Sequence, residues 1–185
     1  MSVRFFENRP CLSFLVVLAF GFFPGISVVA DSPGDWPQWR GPARDGKSTE
    51  TGLLKKWPED GPKLVWKAEG VGMGYSSFAI KGGRLYTMGS VKSEEKLHAF
   101  ELATGKLLWS VKIGEHFKSG RGGGPRGTPT LVEDVVYTLG TSGWLGCYQA
   151  DDGAEIWKFS VFERFGSKNI NWGLAESVLI EGDLL

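Results

Sequence analysis

Residues 99–109 read AFELATGKLLW, and residues 147–157 repeat the same pattern as CYQADDGAEIW. Each segment holds two apolar-rich stretches around a turn glycine, Gly105 or Gly153, and each closes on a tryptophan, Trp109 or Trp157. A repeat of about 40 to 50 residues with four strands is typical of a β-propeller blade, which buries its sheet faces only against neighbouring blades. We therefore predict an all-β chain that forms part of a β-propeller.

Strand and turn signals extend this repeat in both directions. They predict two four-stranded blades, over about residues 75–113 and 128–161, and the start of a third from about residue 175. Residues 64–66 (Leu-Val-Trp) resemble the end of both repeats and predict one orphan strand that closes a further blade. Residues 63–185 are thus interpreted as an incomplete set of propeller repeats, and the remaining blades are expected from a longer chain.

The N-terminal residues resemble an export signal. Arg4 and Arg9 precede an apolar run over residues 12–23, and small residues end at Ala30. The run is too short for a membrane-spanning helix, which needs about 20 apolar residues, so we predict a signal peptide over residues 1–30 and no transmembrane span in the mature chain. Residues 31–62 read as an irregular leader in which Trp36 and Trp39 are expected to pack against the propeller rim.

Charge and cysteine content exclude several classes of function. The chain has 21 basic and 21 acidic residues, and removal of residues 1–30 leaves one more acidic than basic residue. This balance does not suggest nucleic acid or an anionic membrane as a partner. Cys147 is then the last cysteine, so no intramolecular disulfide is predicted. Because Cys147 takes the place of Ala99 in the other repeat, it reads as a small buried side chain.

The repeat resembles that of the pyrroloquinoline-quinone-like (quinoprotein-like) β-propellers, whose pattern is Ala-x-Asp-x-x-Thr-Gly-Lys-x-x-Trp. The first copy matches the pattern at Ala99, Thr104, Gly105, Lys106 and Trp109, with Glu101 in place of Asp. The second copy keeps Gly153 and Trp157. Residues 36–42 (WPQWRGP) and 124–130 (GPRGTPT) also look like exported bacterial members of this group, and the likeness extends over residues 36–185.

The resemblance indicates the fold more strongly than an activity, because in this family the matched residues form turns and blade contacts. The group includes calcium-dependent quinoprotein alcohol dehydrogenases and also non-catalytic scaffolds such as the outer-membrane assembly lipoprotein of the BamB type. In the dehydrogenases a disulfide between adjacent cysteines covers the quinone, and this sequence has no adjacent cysteine pair. No residue can be transferred from the family as catalytic, and no metal ligand is assigned.

The loop of residues 120–126 (GRGGGPR) is the strongest local candidate for ligand binding. Two arginines and glycine amides suit a carboxylate or phosphate, although the loop lacks the spacing and the strand-to-helix context of a phosphate loop. A blade-to-blade connection with an arginine near the channel mouth is the alternative. Arg121 and Arg126 are the anion-binding candidates if the protein binds an anion.

Other candidate residues are better explained by structure. The acidic pairs at residues 133–134 and 151–152 fall at predicted hairpin turns, where Asp is common for backbone reasons. His98 and His116 lie far apart in the repeat, which disfavours a zinc site or a catalytic dyad. Trp144 and Trp172 could stack on a ligand or pack between blades, and residues 169–173 could face the channel.

Taken together, the sequence predicts an exported, periplasmic or otherwise extracytoplasmic, quinoprotein-like propeller module. Its expected role is non-catalytic binding or scaffolding, with a protein or a small molecule as partner and no cofactor. The alternative is a fragment of a pyrroloquinoline-quinone-dependent alcohol or sugar dehydrogenase, which would use the quinone with calcium.

Overall fold

The computed structural model describes residues 34–185. The predicted signal peptide, residues 1–30, lies outside the described residues. Within residues 34–185 the strands form two four-stranded antiparallel sheets, accompanied by a single short helix. This confirms the all-β fold and the partial propeller architecture. The described range contains no helix long and apolar enough to cross a bilayer.

Each sheet is a meander in which consecutive strands pair. The first sheet consists of β1 (Phe78–Lys81), β2 (Arg84–Val91), β3 (Glu94–Glu101) and β4 (Leu107–Glu115). The second consists of β5 (Thr130–Val132), β6 (Val135–Leu139), β7 (Trp144–Gln149) and β8 (Glu155–Ser160). Strand order therefore follows chain order, as expected when short turns join antiparallel neighbours.

The hydrophobic core lies between the two sheets. Its buried members come from both sheets: Ala79, Tyr86, Met88, Leu97, Ala99 and Ile113 from the first, and Leu131, Val136, Tyr148 and Ala150 at or beside the second. Trp109 and Val111 of β4 pack against this cluster. Each sheet thus buries one face against the next, which is how repeat architectures gain their stability.

The two repeated segments occupy the same position in the two sheets. Trp109 pairs with Ala99 across β4 and β3, and Trp157 pairs with Cys147 across β8 and β7. Ala99 is 0% exposed and Cys147 is 3% exposed, and burial raises the pKa of the Cys147 thiol. The interpretation of Cys147 as a small packed side chain is confirmed.

Trp109 joins the first sheet to the second. Its indole Nε1 donates to the carbonyl of Ala150 at 3.2 Å, and its ring lies over Gly153, where an added Cβ would be 2.7 Å from the ring. Gly153 also has a φ of 76°, which favours glycine. One glycine therefore makes the turn and leaves room for the tryptophan of the preceding blade.

Trp66 docks on the first sheet in the same way. Its Nε1 donates to Leu102 O at 2.8 Å, and its ring covers Gly105, where a Cβ would be 2.5 Å away. Residues 64–66 nevertheless form no strand, because none of the described residues pairs with them. At the position of the predicted orphan strand the structure thus shows a docking tryptophan and no strand.

The structure also differs from the sequence-based expectation after β8. Strand β8 ends at Ser160, and a short helix, α1 (Val161–Phe165), follows where the strand was expected to continue to Val161. The Ser160 hydroxyl accepts the Glu163 N–H at 3.3 Å, and Gly166, at φ 61°, ends the helix. Serine before the helix and glycine after it are common caps. The third repeat contributes one isolated antiparallel bridge, between Glu181 and Leu184.

The segment before the sheets lies along their first strands. Trp36 exchanges two backbone hydrogen bonds with Ile80 of β1, at 2.7 and 2.9 Å, and the carbonyl of Pro37 accepts the N–H of Leu131 in β5 at 2.8 Å. Trp39 remains 57% exposed. Trp36 is half-buried with its backbone paired to β1, whereas Trp39 borders an open cleft and does not pack against the propeller rim as expected.

Candidate ligand-binding site at the connection end

The two sheets share two distinct ends. At one end, named here the turn end, lie the hairpin turns around Gly83, Gly105 and Gly153. At the other, named the connection end, residues 116–129 lead from β4 to β5 and residues 166–176 follow α1. Connections of this kind carry ligand sites because their side chains are not needed for sheet pairing.

A cleft of about 420 Å³ opens at the connection end. Its walls combine two exposed aromatic rings, one guanidinium, one carboxylate and several hydroxyl groups: Trp39, Tyr75, Ser77, Arg126, Thr128, Ala175, Glu176 and Ser177. Tyr75 and Arg126 occupy equivalent positions in the first and second repeats, as judged from the pairing of Lys81 with Arg84 and of Val132 with Val135. The cleft therefore lies where successive blades begin their first strands.

Arg126 is fixed in this cleft by three contacts. Its Nη1 donates to Gly124 O at 2.7 Å and its Nη2 donates to Gly122 O at 2.8 Å. Its Cζ lies 5.3 Å from the centre of the Tyr75 ring, a cation–π distance. A guanidinium has five N–H donors, so three of them remain after the two loop bonds.

Arg121 sits on a second aromatic ring beside Arg126. Its Cζ lies 5.5 Å from the centre of the Trp172 ring. Tyr75 connects the two arginines, because its hydroxyl donates to the carbonyl of Arg121 at 2.9 Å while its ring lies under Arg126. Tyr75 and Trp172 are 61% and 50% exposed, so this arrangement is accessible from solvent.

The glycine amides of the loop do not form the cradle that the sequence suggested. The N–H of Gly122 donates to Ser119 O at 3.1 Å, and the N–H of Gly124 donates to Phe117 O at 3.2 Å. Their carbonyls accept from Arg126. The amides of Gly122 and Gly124 are therefore not free for an anion, and the two guanidinium groups are the charged donors of this loop.

These arginines have no acidic partner in the part of the chain that the structure describes. Among residues 34–185, no carboxylate lies within 4.0 Å of the guanidinium of Arg121 or Arg126. Arg40, whose Cζ lies 5.5 Å from the Trp39 ring centre, shares this property and donates to the Asp45 carbonyl. No carboxylate of the described residues therefore neutralises the guanidinium groups of Arg121 and Arg126 by a direct ion pair.

Beneath this surface the structure reveals a buried carboxylate that the sequence did not single out. Glu95 is 0% exposed, and its Oε2 accepts the Thr141 N–H at 2.9 Å. Its Oε1 and the Nδ1 of His116 are both buried without a hydrogen-bond partner. Glu95 therefore ties the β2–β3 hairpin to the β6–β7 turn. In the sequence Glu95 is an ordinary polar residue near the start of a strand, and nothing in the pattern indicates that its carboxylate is buried.

Burial raises the pKa of the Glu95 carboxyl, and the hydrogen bond from Thr141 opposes that rise. A carboxyl whose pKa is higher in the folded chain stabilises the fold at low pH, and this contribution is lost as the pH rises through the folded-state pKa. Burial lowers the pKa of His98. Its contribution to the stability of the fold is therefore lost as the pH falls, which is the opposite pH dependence to that of Glu95.

We expect Glu95→Gln to be more stable than the unsubstituted chain at pH 8 and to lose this advantage towards pH 4, because glutamine keeps the shape without the buried charge. Urea unfolding of both proteins at several pH values measures the difference, in which the His98 contribution cancels. An unchanged pH dependence in Glu95→Gln would show that this carboxyl does not titrate as inferred.

The other sequence candidates take structural positions. Asp151 pairs with Arg84 across the sheets, and the Asp152 side chain accepts the Ala154 N–H in its turn at 2.9 Å. His98 is buried in β3. The Asn169 side chain donates to Thr141 O at 3.1 Å. Among residues 34–185, no three His, Cys, Asp or Glu side chains are grouped so as to hold a metal ion.

Trp144 and Trp172 behave differently from each other. Trp144 lies beside β4, where a Cβ added at Gly114 would be 3.0 Å from its ring, so it packs between the sheets. Trp172 is half exposed under Arg121. Of these two tryptophans, only Trp172 belongs to the candidate site.

Sheets of this shape, joined face to face through repeated tryptophans, define a β-propeller protein. Residues 93–184 match the family model described as outer membrane protein assembly factor BamB. The chain is a protein of pyrroloquinoline-quinone-like repeats. No curated protein matches it.

Three solved structures resemble the chain. The quinohemoprotein alcohol dehydrogenase of Comamonas testosteroni aligns with a TM-score of 0.51 and 22% identity, over 72% of this chain and 20% of that one. BamB of Moraxella catarrhalis aligns with a TM-score of 0.40 and 19% identity, over 52% of this chain and 27% of that one. The quinohemoprotein alcohol dehydrogenase ADHIIG of Pseudomonas putida HK5 aligns with a TM-score of 0.40 and 18% identity, over 53% of this chain and 15% of that one.

At these identities the first of the three supports the fold alone. The chain spans between 15% and 27% of the length of these three proteins.

Proposed function

We propose that this chain is part of an exported, non-catalytic propeller that binds an anionic ligand at its connection end. The observation that carries the proposal is the pair of guanidinium groups, Arg121 and Arg126, each held on an aromatic ring and neither neutralised by a carboxylate of the described residues. Arginine held in a fixed orientation suits bidentate recognition of carboxylate or phosphate.

The repeat residues support a non-catalytic role because packing accounts for them. Trp109 and Trp66 dock on the following sheet, and Gly153 and Gly105 provide the space for their rings. The exposed chemistry then lies at the cleft, where the side chains can bind and orient a ligand. Export is proposed from Arg4, the apolar run over residues 12–23 and the small residues before position 31.

The rival function is that of a quinone-dependent dehydrogenase, which requires oxygen ligands for calcium beside the quinone. Among residues 34–185, no group of three His, Cys, Asp or Glu side chains is placed to hold a metal ion, so no calcium ligand is assigned to these residues. In the cleft itself the one carboxylate is that of Glu176. No catalytic step is assigned to these residues.

We expect the full-length protein, incubated with pyrroloquinoline quinone and calcium, to reduce no artificial electron-acceptor dye when primary alcohols or aldose sugars are added. An authentic quinoprotein alcohol dehydrogenase, reconstituted in parallel, serves as the positive control. Dye reduction that depends on quinone, calcium and substrate together would overturn the non-catalytic proposal. Binding of the quinone without turnover would not overturn it, because pyrroloquinoline quinone carries three carboxylates and is itself an anionic ligand.

A further inference from the structure

The contacts around Tyr75 define a continuous surface at the connection end. We name it the arginine–aromatic surface and define it by Tyr75, Arg121, Arg126 and Trp172. The Tyr75 hydroxyl bonds to the Arg121 backbone while its ring supports the Arg126 guanidinium, and Trp172 supports the Arg121 guanidinium. Two cations are thus fixed at separate points with exposed aromatic surface beside each.

The chain segments that form this surface carry a net positive charge. Residues 116–129 and 166–176 together contain four Lys or Arg residues (Lys118, Arg121, Arg126 and Lys168) and one acidic residue, Glu176. The Glu176 Oε2 accepts the Ala175 N–H at 3.0 Å. A ligand with negative charge is therefore attracted to the arginine side of the cleft and opposed by Glu176.

The arrangement favours a chain with several carboxylates over a single small anion. A small anion bound to Arg126 would not contact the guanidinium of Arg121 or the exposed rings of Tyr75 and Trp172. An extended peptide presents side chains at intervals along its length, so its acidic groups can reach both arginines while an apolar side chain between them covers aromatic surface. Aromatic and arginine side chains are the residue types enriched where proteins bind one another.

A protein segment also fits better than nucleic acid or a lipid surface. The whole chain has a formal net charge of zero, so it offers little long-range attraction to a polyanion. Four cations in two loops match a short acidic stretch rather than a continuous phosphate backbone.

We propose that the arginine–aromatic surface binds an extended acidic peptide segment of a partner protein. Carboxylates of the segment bond to the guanidinium groups of Arg121 and Arg126, and an apolar side chain packs on Tyr75 and Trp172. This inference rests on the proposed binding function and names the chemistry of the partner.

Fluorescence anisotropy of a labelled peptide with alternating glutamate and leucine tests the proposal on the full chain. Binding is expected to weaken with added salt and to weaken about tenfold in Arg121→Gln, because a hydrogen bond to a charged group is lost. Arg126→Gln is expected to weaken it by a similar factor. Arg121→Gln is the cleaner variant, since the Arg121 guanidinium makes no hydrogen bond or ion pair within residues 34–185, whereas that of Arg126 donates to two loop carbonyls.

Arg164→Gln provides the matched control. The Arg164 guanidinium also lies on an aromatic ring, with its Cζ 4.8 Å from the Phe159 ring centre, but it is outside the arginine–aromatic surface. We expect peptide binding to be unchanged in this variant. Glu176→Gln is expected to strengthen binding roughly threefold by removing the opposing charge.

Three results would overturn the proposal: no binding of the glutamate peptide, equal binding of a peptide with glutamine in place of glutamate, or equal affinity in Arg121→Gln. Tighter binding of inorganic phosphate or free glutamate would assign the surface to a small anion instead. Tighter binding of single-stranded DNA or phosphatidylglycerol vesicles at the same salt would assign it to those partners. Failure of the non-catalytic proposal is distinguished from these results, because it would be detected as dye reduction in the assay with quinone and calcium.

Discussion

Replacing Trp109 by alanine is expected to lower the free energy of unfolding by about 3–5 kcal/mol, the range for removing a large packed aromatic side chain. Trp109 connects the two sheets through its indole bond to Ala150 O and its ring contact with Gly153. It also packs against Tyr86, with ring centres 5.9 Å apart. Alanine would leave a cavity at the junction of the two sheets and break the indole hydrogen bond to Ala150 O.

Urea unfolding followed by tryptophan fluorescence and circular dichroism measures this loss. Trp57→Ala is the matched control, because Trp57 is 64% exposed and its replacement is expected to change stability by less than about 0.5 kcal/mol. A Trp109→Ala protein as stable as Trp57→Ala would mean that Trp109 does not join the sheets.

The second large effect is expected at Gly153. A methyl group there must adopt a φ of 76°, and its carbon would lie 2.7 Å from the Trp109 ring and 2.9 Å from Val111. The left-handed conformation alone costs about 1–2 kcal/mol. Displacement of the Trp109 ring adds to that cost, so we expect Gly153→Ala to lose about 3 kcal/mol or more.

Gly83→Ala separates the two contributions to this loss. Gly83 has a φ of 74° and nothing within 4 Å of an added Cβ, so it bears the backbone cost without the clash. The difference in unfolding free energy between Gly153→Ala and Gly83→Ala measures the blade contact. Equal losses in the two variants would show that Gly153 is required only for its turn.

The strands of the two sheets could be predicted from sequence because the same pattern occurs twice. A single apolar stretch is ambiguous, but a repeated pair of stretches around Gly105 and Gly153 specifies hairpins. The small residue at Ala99 and Cys147 was likewise predicted from its equivalent positions, and its burial confirms it.

Features that occur once were not predicted. The helix α1 depends on local caps at Ser160 and Gly166 and interrupts what reads as a strand. Trp36 was expected on the rim because a tryptophan near the start of a domain needs cover. The sequence pattern could not reveal that the Trp36 backbone would form two hydrogen bonds with Ile80 of β1.

The candidate site was predictable in part. Arg121 and Arg126 stood out as two arginines among glycines; Arg126 lines the cleft at the connection end, and Arg121 lies on the Trp172 ring at the same end. Their aromatic supports, Tyr75 and Trp172, lie more than forty residues from one arginine or the other along the chain. Such pairings arise from the packing of successive blades, and they depend on contacts that a linear pattern does not contain.

The central claim is that the tryptophan closing one repeat docks on the turn of the next. Nuclear Overhauser spectroscopy of the ¹⁵N-tryptophan-labelled chain tests it directly, because only protons within about 5 Å give cross-peaks. We expect cross-peaks from the Trp109 indole N–H to the Ala150–Gly153 turn and from the Trp66 indole N–H to the Leu102–Gly105 turn, since each indole N–H bonds to the carbonyl of the first residue of that turn. A Trp109 indole N–H that shows cross-peaks only to its own sheet, or to solvent, would contradict the account.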